Sequence, residues 1–124
     1  MRVLVADDDP IITRLLHSAL RVKGWEVSVA ADAMQAVMFA GRTPSPDAII
    51  LDINMPGGTG IAALKRLKAS VRTSNIPILV LSGAIDPALP QTVKDLGADE
   101  FLVKPVDLDL LYLSVCRMTG VKPQ

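Results

Sequence analysis

Short apolar runs alternate along the chain with longer segments in which apolar residues recur every three or four positions. The first run covers residues 2–6, and in the segment after it Ile12, Leu16 and Leu20 share one helical face. Further apolar runs at 25–30, 47–51, 76–82 and 99–103 each precede a helical pattern, at about 32–41, 60–71, 87–96 and 107–118. Five strand–helix units of this length predict a parallel sheet with helices on both faces.

Turn and capping residues mark the borders of these elements. Asp9 is placed to cap the first helix, with Pro10 at its first position and Gly24 at its end. Thr59 is placed to cap the third helix. The runs at 49–51 and 78–81 are almost entirely apolar, which is typical of strands that are covered on both sides.

Polar residues follow four of the five predicted strands. Asp7 and Asp8 follow the first strand, Asp52 the third, Ser82 the fourth and Lys104 the fifth. One aspartate at a strand end is also typical of a simple turn. In a doubly wound sheet of order 2-1-3-4-5, however, these strand ends are neighbours, and functional groups gather there. We therefore expect the side chains to face one pocket.

The chemistry of this pocket favours phosphoryl transfer. Carboxylates about 4 to 6 Å apart repel one another and require a cation among them. Hard oxygen ligands without histidine or thiol suit Mg²⁺. A metal, a carboxylate nucleophile at Asp52, a hydroxyl and a cationic Lys104 together indicate phosphoryl transfer to Asp52.

The bulk composition narrows the class of protein. The chain has 124 residues, half of them hydrophobic, which suits one domain with a real core. Thirteen basic and thirteen acidic residues leave no net charge, which argues against direct nucleic-acid binding. Cys116 is the sole cysteine, the opening residues do not resemble a signal peptide, and no apolar run is long enough to insert in a membrane. We expect a cytoplasmic protein.

Four motifs carry a family resemblance: "VADDDP", "LDINMP", "VLSG" and "FLVKP", in this order at the ends of strands one, three, four and five. With them the chain resembles the receiver domain of bacterial two-component response regulators, especially the single-domain chemotaxis type. The resemblance covers nearly the whole length. It implies one receiver domain over residues 1–124 with the flavodoxin-like (βα)5 fold and strand order 2-1-3-4-5.

The resemblance also implies roles for the residues around the pocket. Asp52 is expected to be the phosphoacceptor. Asp8 is expected to bind Mg²⁺ directly and Asp7 mostly through water. The backbone carbonyl of Asn54 is expected to be a third protein oxygen on the metal.

Further roles come from the fourth and fifth strands. Ser82 is expected to hydrogen-bond the phosphoryl group and Lys104 to pair with it. Phe101 is expected to change rotamer with the state of Ser82. The Lys104–Pro105 peptide bond is expected to be cis, against a base rate of about 5 to 6% for such bonds.

The sequence departs from the common family pattern before the third helix. Gly57 and Gly58 precede Thr59 where receivers often carry an apolar residue and then Asp. Asn54 and Ala84 occupy positions that influence phosphoryl hydrolysis in the family. The resemblance therefore implies a phosphoacceptor with intrinsic autodephosphorylation, rather than a conventional enzyme.

The expected function is a signalling switch of a phosphorelay. The phosphoryl donor is expected to be a phosphohistidine on a sensor histidine kinase or a histidine phosphotransfer protein. The output is expected to be binding of a downstream protein, or homodimer formation, through the face of helix 4, strand 5 and helix 5. Leu110 and Leu113 lie off the core stripe of helix 5 and are candidates for this interface, although they could also pack under helix 4.

Two rival interpretations remain at this point. One is a phosphohydrolase of the haloacid dehalogenase type, which also phosphorylates an aspartate but requires a second acid two residues later, where this chain has Asn54. The other is the receiver part of a longer regulator with an output domain.

Overall fold

The computed structural model describes residues 1–55, 60–83 and 86–124. Strands and helices alternate along these residues, as the apolar runs predict. The elements are β1 (Arg2–Ala6), α1 (Pro10–Val22), β2 (Glu26–Ala30), α2 (Ala33–Ala40), β3 (Ala48–Asp52), α3 (Gly60–Ala69), β4 (Ile78–Ser82), α4 (Leu89–Asp95), β5 (Glu100–Val103) and α5 (Leu108–Thr119).

The strands form one parallel sheet in the order β2-β1-β3-β4-β5. This confirms the predicted flavodoxin-like fold and strand order. At the centre of the sheet, Ile50 of β3 is in register with Val5 of β1 and with Leu79 of β4. Because all strands run the same way, their carboxyl ends meet at one edge of the sheet.

Two apolar layers cover the sheet, one on each face. Leu4, Leu51 and Val80 point to the layer that contains α2, α3 and α4. Val5 and Leu81 point to the layer that contains α1 and α5. All residues of β3 and β4 are buried, which confirms that these nearly continuous apolar runs are strands covered on both faces.

Capping residues explain where α1 begins and ends, as predicted, and where α5 begins. Asp9 Oδ1 accepts a hydrogen bond from the Ile11 N–H at 2.9 Å, and Gly24 follows α1 with a φ of 85°. Asp107 Oδ1 accepts from the Leu110 N–H at 3.0 Å. These bonds satisfy main-chain donors of the first helical turn, which lack partners inside the helix. No helix of the described residues is both long and apolar enough to span a bilayer.

Helices α3 and α4 are shorter than predicted, because local turns replace one end of each. The Ser70 carbonyl accepts from the N–H groups of Thr73 and Ser74, so α3 gives way to a turn after Ala69. Before α4, Asp86 Oδ1 accepts from the Ala88 N–H at 2.9 Å and holds a turn ahead of the helix. The expected capping role of Thr59 lies outside the described residues, as do the positions of Gly57, Gly58 and Ala84.

A close approach at Gly60 joins the start of α3 to the end of β3. The Gly60 N–H donates to the Ile53 carbonyl at 2.9 Å. A Cβ atom on Gly60 would lie 2.4 Å from Ile53 Cα and 2.5 Å from the Asp52 carbonyl oxygen, and both are main-chain atoms. Only a residue without a side chain fits here, so Gly60 sets the path of the main chain beside Asp52.

We predict that Gly60→Ala destabilises the protein by more than about 2 kcal/mol, because overlap with main-chain atoms forces the backbone to move. Gly41→Ala is the matched control: Gly41 has an ordinary helical conformation, and its nearest contact for a new Cβ is 3.6 Å away. That control should change stability by less than about 1 kcal/mol. Urea unfolding of both variants measures the difference, and equal effects would contradict the prediction.

Candidate functional site

Three carboxylates converge where β1 and β3 end. Asp7 and Asp8 directly follow β1, and Asp52 is the last residue of β3. One oxygen from each lies within 4.8 Å of the others. Asp7 and Asp52 are each only 2% exposed, whereas Asp8 is exposed to solvent. The cluster therefore has a buried floor and an open side.

Main-chain N–H groups hold the two buried carboxylates in place. The Asp9 N–H donates to Asp7 Oδ1 at 2.9 Å, and the Asn54 N–H donates to Asp52 Oδ1 at 3.1 Å. Each donor lies two residues after its acceptor, in the turn that leaves the strand. These bonds leave the Oδ2 atoms of Asp7 and Asp52 available for contact with a lysine.

The lysine beside the carboxylates is Lys104, which immediately follows β5. Its Nζ lies 2.9 Å from Asp7 Oδ2 and 3.4 Å from Asp52 Oδ2. The Lys104 N–H also donates to the Ser82 carbonyl at 2.9 Å, which ties the lysine backbone to the end of β4. The Lys104–Pro105 peptide bond is cis. Lys104 thus contacts groups from β1, β3 and β4.

Burial and the neighbouring groups together set the pKa of Asp52. Burial raises the pKa of Asp52 above its ordinary value, and the nearby Asp7 carboxylate raises this pKa further. The Asn54 N–H and the Lys104 ammonium act in the opposite direction without cancelling the rise. The ionised form of Asp52 is therefore held at a cost in free energy.

The pKa of Lys104 is also raised, which favours its charged form. Burial alone would lower the pKa of its ammonium group, but the contact with Asp7 and the charges of Asp7 and Asp52 outweigh burial and raise this pKa. Lys104 therefore stays charged at neutral pH. One ammonium group beside three carboxylates leaves the cluster with excess negative charge.

The donor set of the cluster fits a hard divalent cation. All three side-chain ligands are carboxylates, with no histidine or thiol among them. Asp7 Oδ2 is buried and accepts no well-aligned hydrogen bond within the described chain, since Lys104 approaches it as an ion pair. A cation that binds through oxygen would satisfy this atom and offset the excess charge, and Mg²⁺ has this preference.

The other residues predicted for the site lie around the cluster. Ser82 ends β4 and is fully buried, in register with Val103 of β5. Phe101 lies within β5, in register with Val80, and packs half-buried against the α2–α3–α4 layer. Asn54 is exposed beside Asp52.

The two leucines on α5 are exposed. Leu110 is 45% and Leu113 is 47% exposed, so neither packs under α4. The buried residues of this helix include Leu111 and Val115, which cover the sheet. The two leucines therefore form an apolar surface beside β5.

Two features of the site region escaped the sequence interpretation. Asp9 was predicted only as a helix cap, but its N–H also orients Asp7. The close approach of Gly60 to Asp52 was not predicted, although a glycine soon after a strand-end aspartate is a detectable signal. A second cis bond, Thr43–Pro44, lies away from the site.

Family and structural comparisons agree with this geometry. Residues 3–115 match the family model described as the response regulator receiver domain. The chemotaxis protein CheY4 of Vibrio cholerae is 33% identical and superposes with a TM-score of 0.86 over 94% of this chain and 97% of that chain. A putative response regulator from Chloroflexus aurantiacus is 30% identical, with a TM-score of 0.89 over 96% and 97% of the two chains.

Curated relatives are longer proteins. PrrA, a transcriptional regulatory protein of Mycobacterium leprae, is 41% identical over 92% of this chain and 48% of its own length. The response regulator PleD of Caulobacter vibrioides is 35% identical over 98% of this chain and 26% of its own length. The chain spans about half or less of the length of these relatives. The receiver domain of the Pseudomonas aeruginosa sensor histidine kinase PA1611, 27% identical with a TM-score of 0.86 over 96% and 97% of the two chains, coordinates magnesium in its active-site cleft.

We predict that Asp52→Asn stabilises the metal-free protein by about 1 kcal/mol at neutral pH, because it removes a buried charge that Asp7 repels. The same variant should lose most of the rise in melting temperature that Mg²⁺ gives the wild type. Melting curves at increasing Mg²⁺ concentration measure both effects. Asp109→Asn, an exposed acid on α5, is the control and should keep the wild-type response. An unchanged Mg²⁺ response in Asp52→Asn would contradict the assignment.

Proposed function

The chain belongs to the response regulator receiver domain family, and on this premise we propose that Asp52 accepts a phosphoryl group and that its modification changes partner binding. Receiver domains are phosphoacceptor switches of two-component systems, and they interact with sensor histidine kinases and phosphotransfer proteins. The observation that carries the proposal is the meeting of Asp7, Asp8, Asp52 and Lys104 at neighbouring strand ends.

The proposed reaction transfers the phosphoryl group from a phosphohistidine to Asp52. One oxygen of the carboxylate attacks phosphorus in line with the phosphorus–nitrogen bond. A phosphorus–oxygen bond forms while the phosphorus–nitrogen bond breaks, and its electron pair stays on the imidazole, which takes a proton from water. Asp52 suits this role because its carboxylate lies at the buried floor of an open cluster, fixed by the Asn54 N–H.

Mg²⁺ would be held by Asp7, Asp8 and Asp52 together with the backbone carbonyl of Asn54. When bound, the ion neutralises charge on the phosphoryl oxygens. The division of work between the two adjacent aspartates follows from their burial. Exposed Asp8 is accessible to an incoming hydrated ion, whereas Asp7 is buried and already oriented by the Asp9 N–H.

Lys104 and Ser82 would respond to the phosphoryl group after transfer. The Lys104 ammonium group is held between Asp7 and Asp52, close enough to move onto a phosphoryl oxygen at Asp52. Ser82 ends the strand beside β3 and is bonded through its carbonyl to the Lys104 N–H. A shift at either residue would reach β5, where Phe101 is only partly buried and is proposed to change rotamer.

Hydrolysis of the acyl phosphate would return the switch to its first state. Asn54 is exposed two residues after Asp52 and would flank the path of an attacking water. Its amide cannot act as the second acid that a phosphohydrolase of the haloacid dehalogenase type requires at this position. The site therefore supports a phosphoacceptor with slow autodephosphorylation better than a turnover enzyme.

We predict that a small acyl-phosphate donor with Mg²⁺ labels the wild-type protein once and that Asp52→Ala abolishes the label. Lys104→Ala should slow labelling by about tenfold or more, because it removes a cation beside the transferred group. Intact-protein mass spectrometry with rapid sampling measures both. Asp109→Asn should be labelled like the wild type, and undiminished labelling of Asp52→Ala would overturn the assignment of the phosphoacceptor.

The output surface is proposed to be the face of α4, β5 and α5. This face includes the exposed Leu110 and Leu113, and it lies next to Phe101 and to Lys104. A downstream protein or a second copy that binds these leucines would respond to phosphorylation only if its affinity differs between the two states. The Lys104 backbone bond to Ser82 gives a physical route for such a difference.

We predict that Leu110→Glu with Leu113→Glu leaves the domain folded and removes phosphorylation-dependent self-association or partner binding. Both side chains are about half exposed, so the substitution should cost less than about 1 kcal/mol of stability. Val71→Glu is the control, because Val71 is 93% exposed after α3 and lies outside this face. Light scattering with and without a phosphoryl mimic tests association, and a folded double mutant that behaves as the wild type would count against the surface.

A further inference from the structure

The outer edge of β2 is not used by the site or by the proposed output face. β2 is the first strand in the sheet order, and within the described chain it pairs only with β1. The Glu26 N–H donates to the Met1 carbonyl at 2.9 Å, towards β1. Main-chain groups alternate along a strand, so those of Val27 and Val29 point away from β1. The edge therefore presents two N–H donors and two carbonyl acceptors.

This edge has few of the features that normally protect an edge strand. Proteins usually blunt such edges with lysine, proline or a bulge. The strand sequence "EVSVA" has neither lysine nor proline, and its five pairs with β1 follow in continuous register without a bulge. Glu26 is its one charged residue, and it forms an ion pair with Arg2 at 3.3 Å. Another strand could therefore pair with this edge.

On the α2 side, the edge borders a cleft that is apolar in part, with the charged residues Arg2, Glu26 and Arg42 also in its lining. A cavity of about 370 Å³ opens between β2 and the carboxyl end of α2. Phe39, Pro44 and Pro46 contribute apolar walls, and the Arg42 guanidinium lies 4.3 Å from the centre of the Phe39 ring. The cleft has the size and lining to hold apolar side chains.

On the α1 side, the edge borders a basic stripe. Arg14, His17 and Arg21 follow one another at helical spacing and line two shallow clefts that also contain Val27 and Val29. Within the described residues, neither Arg14 nor Arg21 forms an ion pair. Their charges are therefore free to pair with acidic groups of a ligand.

We propose that the β2 edge binds an extended segment of a partner protein in which acidic and apolar residues alternate. Its main chain pairs with Val27 and Val29 as an added strand. Because successive side chains of a strand point to opposite faces, its apolar residues enter the cleft beside Phe39 and its acids meet Arg14 and Arg21. Charge and shape on the two sides of the edge thus select the same alternating pattern.

A second copy of β2 fits this edge less well. On the α1 side, a two-fold pairing of two β2 strands sets the valines of one copy beside the arginines of the other. It also brings Arg14 and Arg21 of both copies near one another, and repulsion between like charges opposes such pairing. The basic stripe therefore favours an acidic partner over self-association.

The test uses a short peptide of alternating valine and glutamate with capped termini. The control peptide has the same composition, but its valines and glutamates form two separate runs. The alternating peptide should shift the amide resonances of Val27 and Val29 in two-dimensional NMR. Val29→Pro should weaken this binding by at least about tenfold, because it removes an outward N–H group that β1 does not use. Val29→Thr keeps that N–H group and should bind like the wild type.

A second set of variants tests the charge complementarity. Arg14→Glu with Arg21→Glu should weaken binding of the alternating peptide by at least about tenfold. Lys65→Glu with Arg66→Glu on α3 changes the net charge equally and should have little effect. Asp52→Asn should bind the peptide as tightly as the wild type, which separates this proposal from the phosphoacceptor assignment.

Several outcomes would overturn the proposal. These are equal binding of the two peptides, peptide-induced shifts confined to other surfaces, and unchanged binding by folded Val29→Pro. A wild-type dimer that Val29→Pro dissociates, measured by light scattering, would assign the edge to a second copy instead. If Val29→Pro does not fold, an alternating peptide with N-methyl groups on alternate amides replaces it: one of its two methylation registers should bind at least about tenfold more weakly, and unchanged binding of both would overturn strand addition.

Discussion

The burial of two like-charged carboxylates at the ends of adjacent strands is the constraint on which this molecule is built. Asp7 and Asp52 are almost inaccessible to solvent, and a third carboxylate lies beside them. Such an arrangement persists only because a lysine and main-chain N–H groups offset part of the repulsion. The apolar layers on both faces of the sheet provide the stability that holds these groups together.

Lys104 and the main-chain N–H groups offset only part of the unfavourable energy of the buried carboxylates, so the free energy of the cluster is sensitive to added charge. The pKa of Asp52 is raised, so its carboxylate is held in a less favourable environment than water would provide. A cation or a change of charge at this point alters the free energy of the cluster more than it would at an exposed site. Lys104 contacts Asp7, Asp52 and the Ser82 carbonyl, so one residue connects the cluster to the ends of three strands.

The apolar runs predicted a parallel sheet with polar residues at its strand ends, whereas the strand order 2-1-3-4-5, which makes those ends neighbours, came from the family resemblance. Apolar runs define the strands, and polar residues such as Asp52 and Lys104 stand where those runs stop. The sequence could not separate buried Asp7 from exposed Asp8, since adjacent acids look alike until neighbouring strands cover one of them. It also left open whether Leu113 is covered, which depends on how α4 and α5 lie across β5. The turn at Ser70 shortened α3 through hydrogen bonds that helical periodicity does not reveal.

The position of β2 at one margin of the sheet and of β5 at the other has a consequence for assembly. Strands in a sheet are spaced about 4.8 Å apart, so the two margins of five strands lie roughly 20 Å from each other. Because the two margins lie on opposite sides of the sheet, two proteins could be attached at the same time without competing for space. A ligand that stays bound at one margin would keep any protein tethered to it close to the other margin, and would so raise the local concentration of that protein there. The domain would then act as a conditional scaffold.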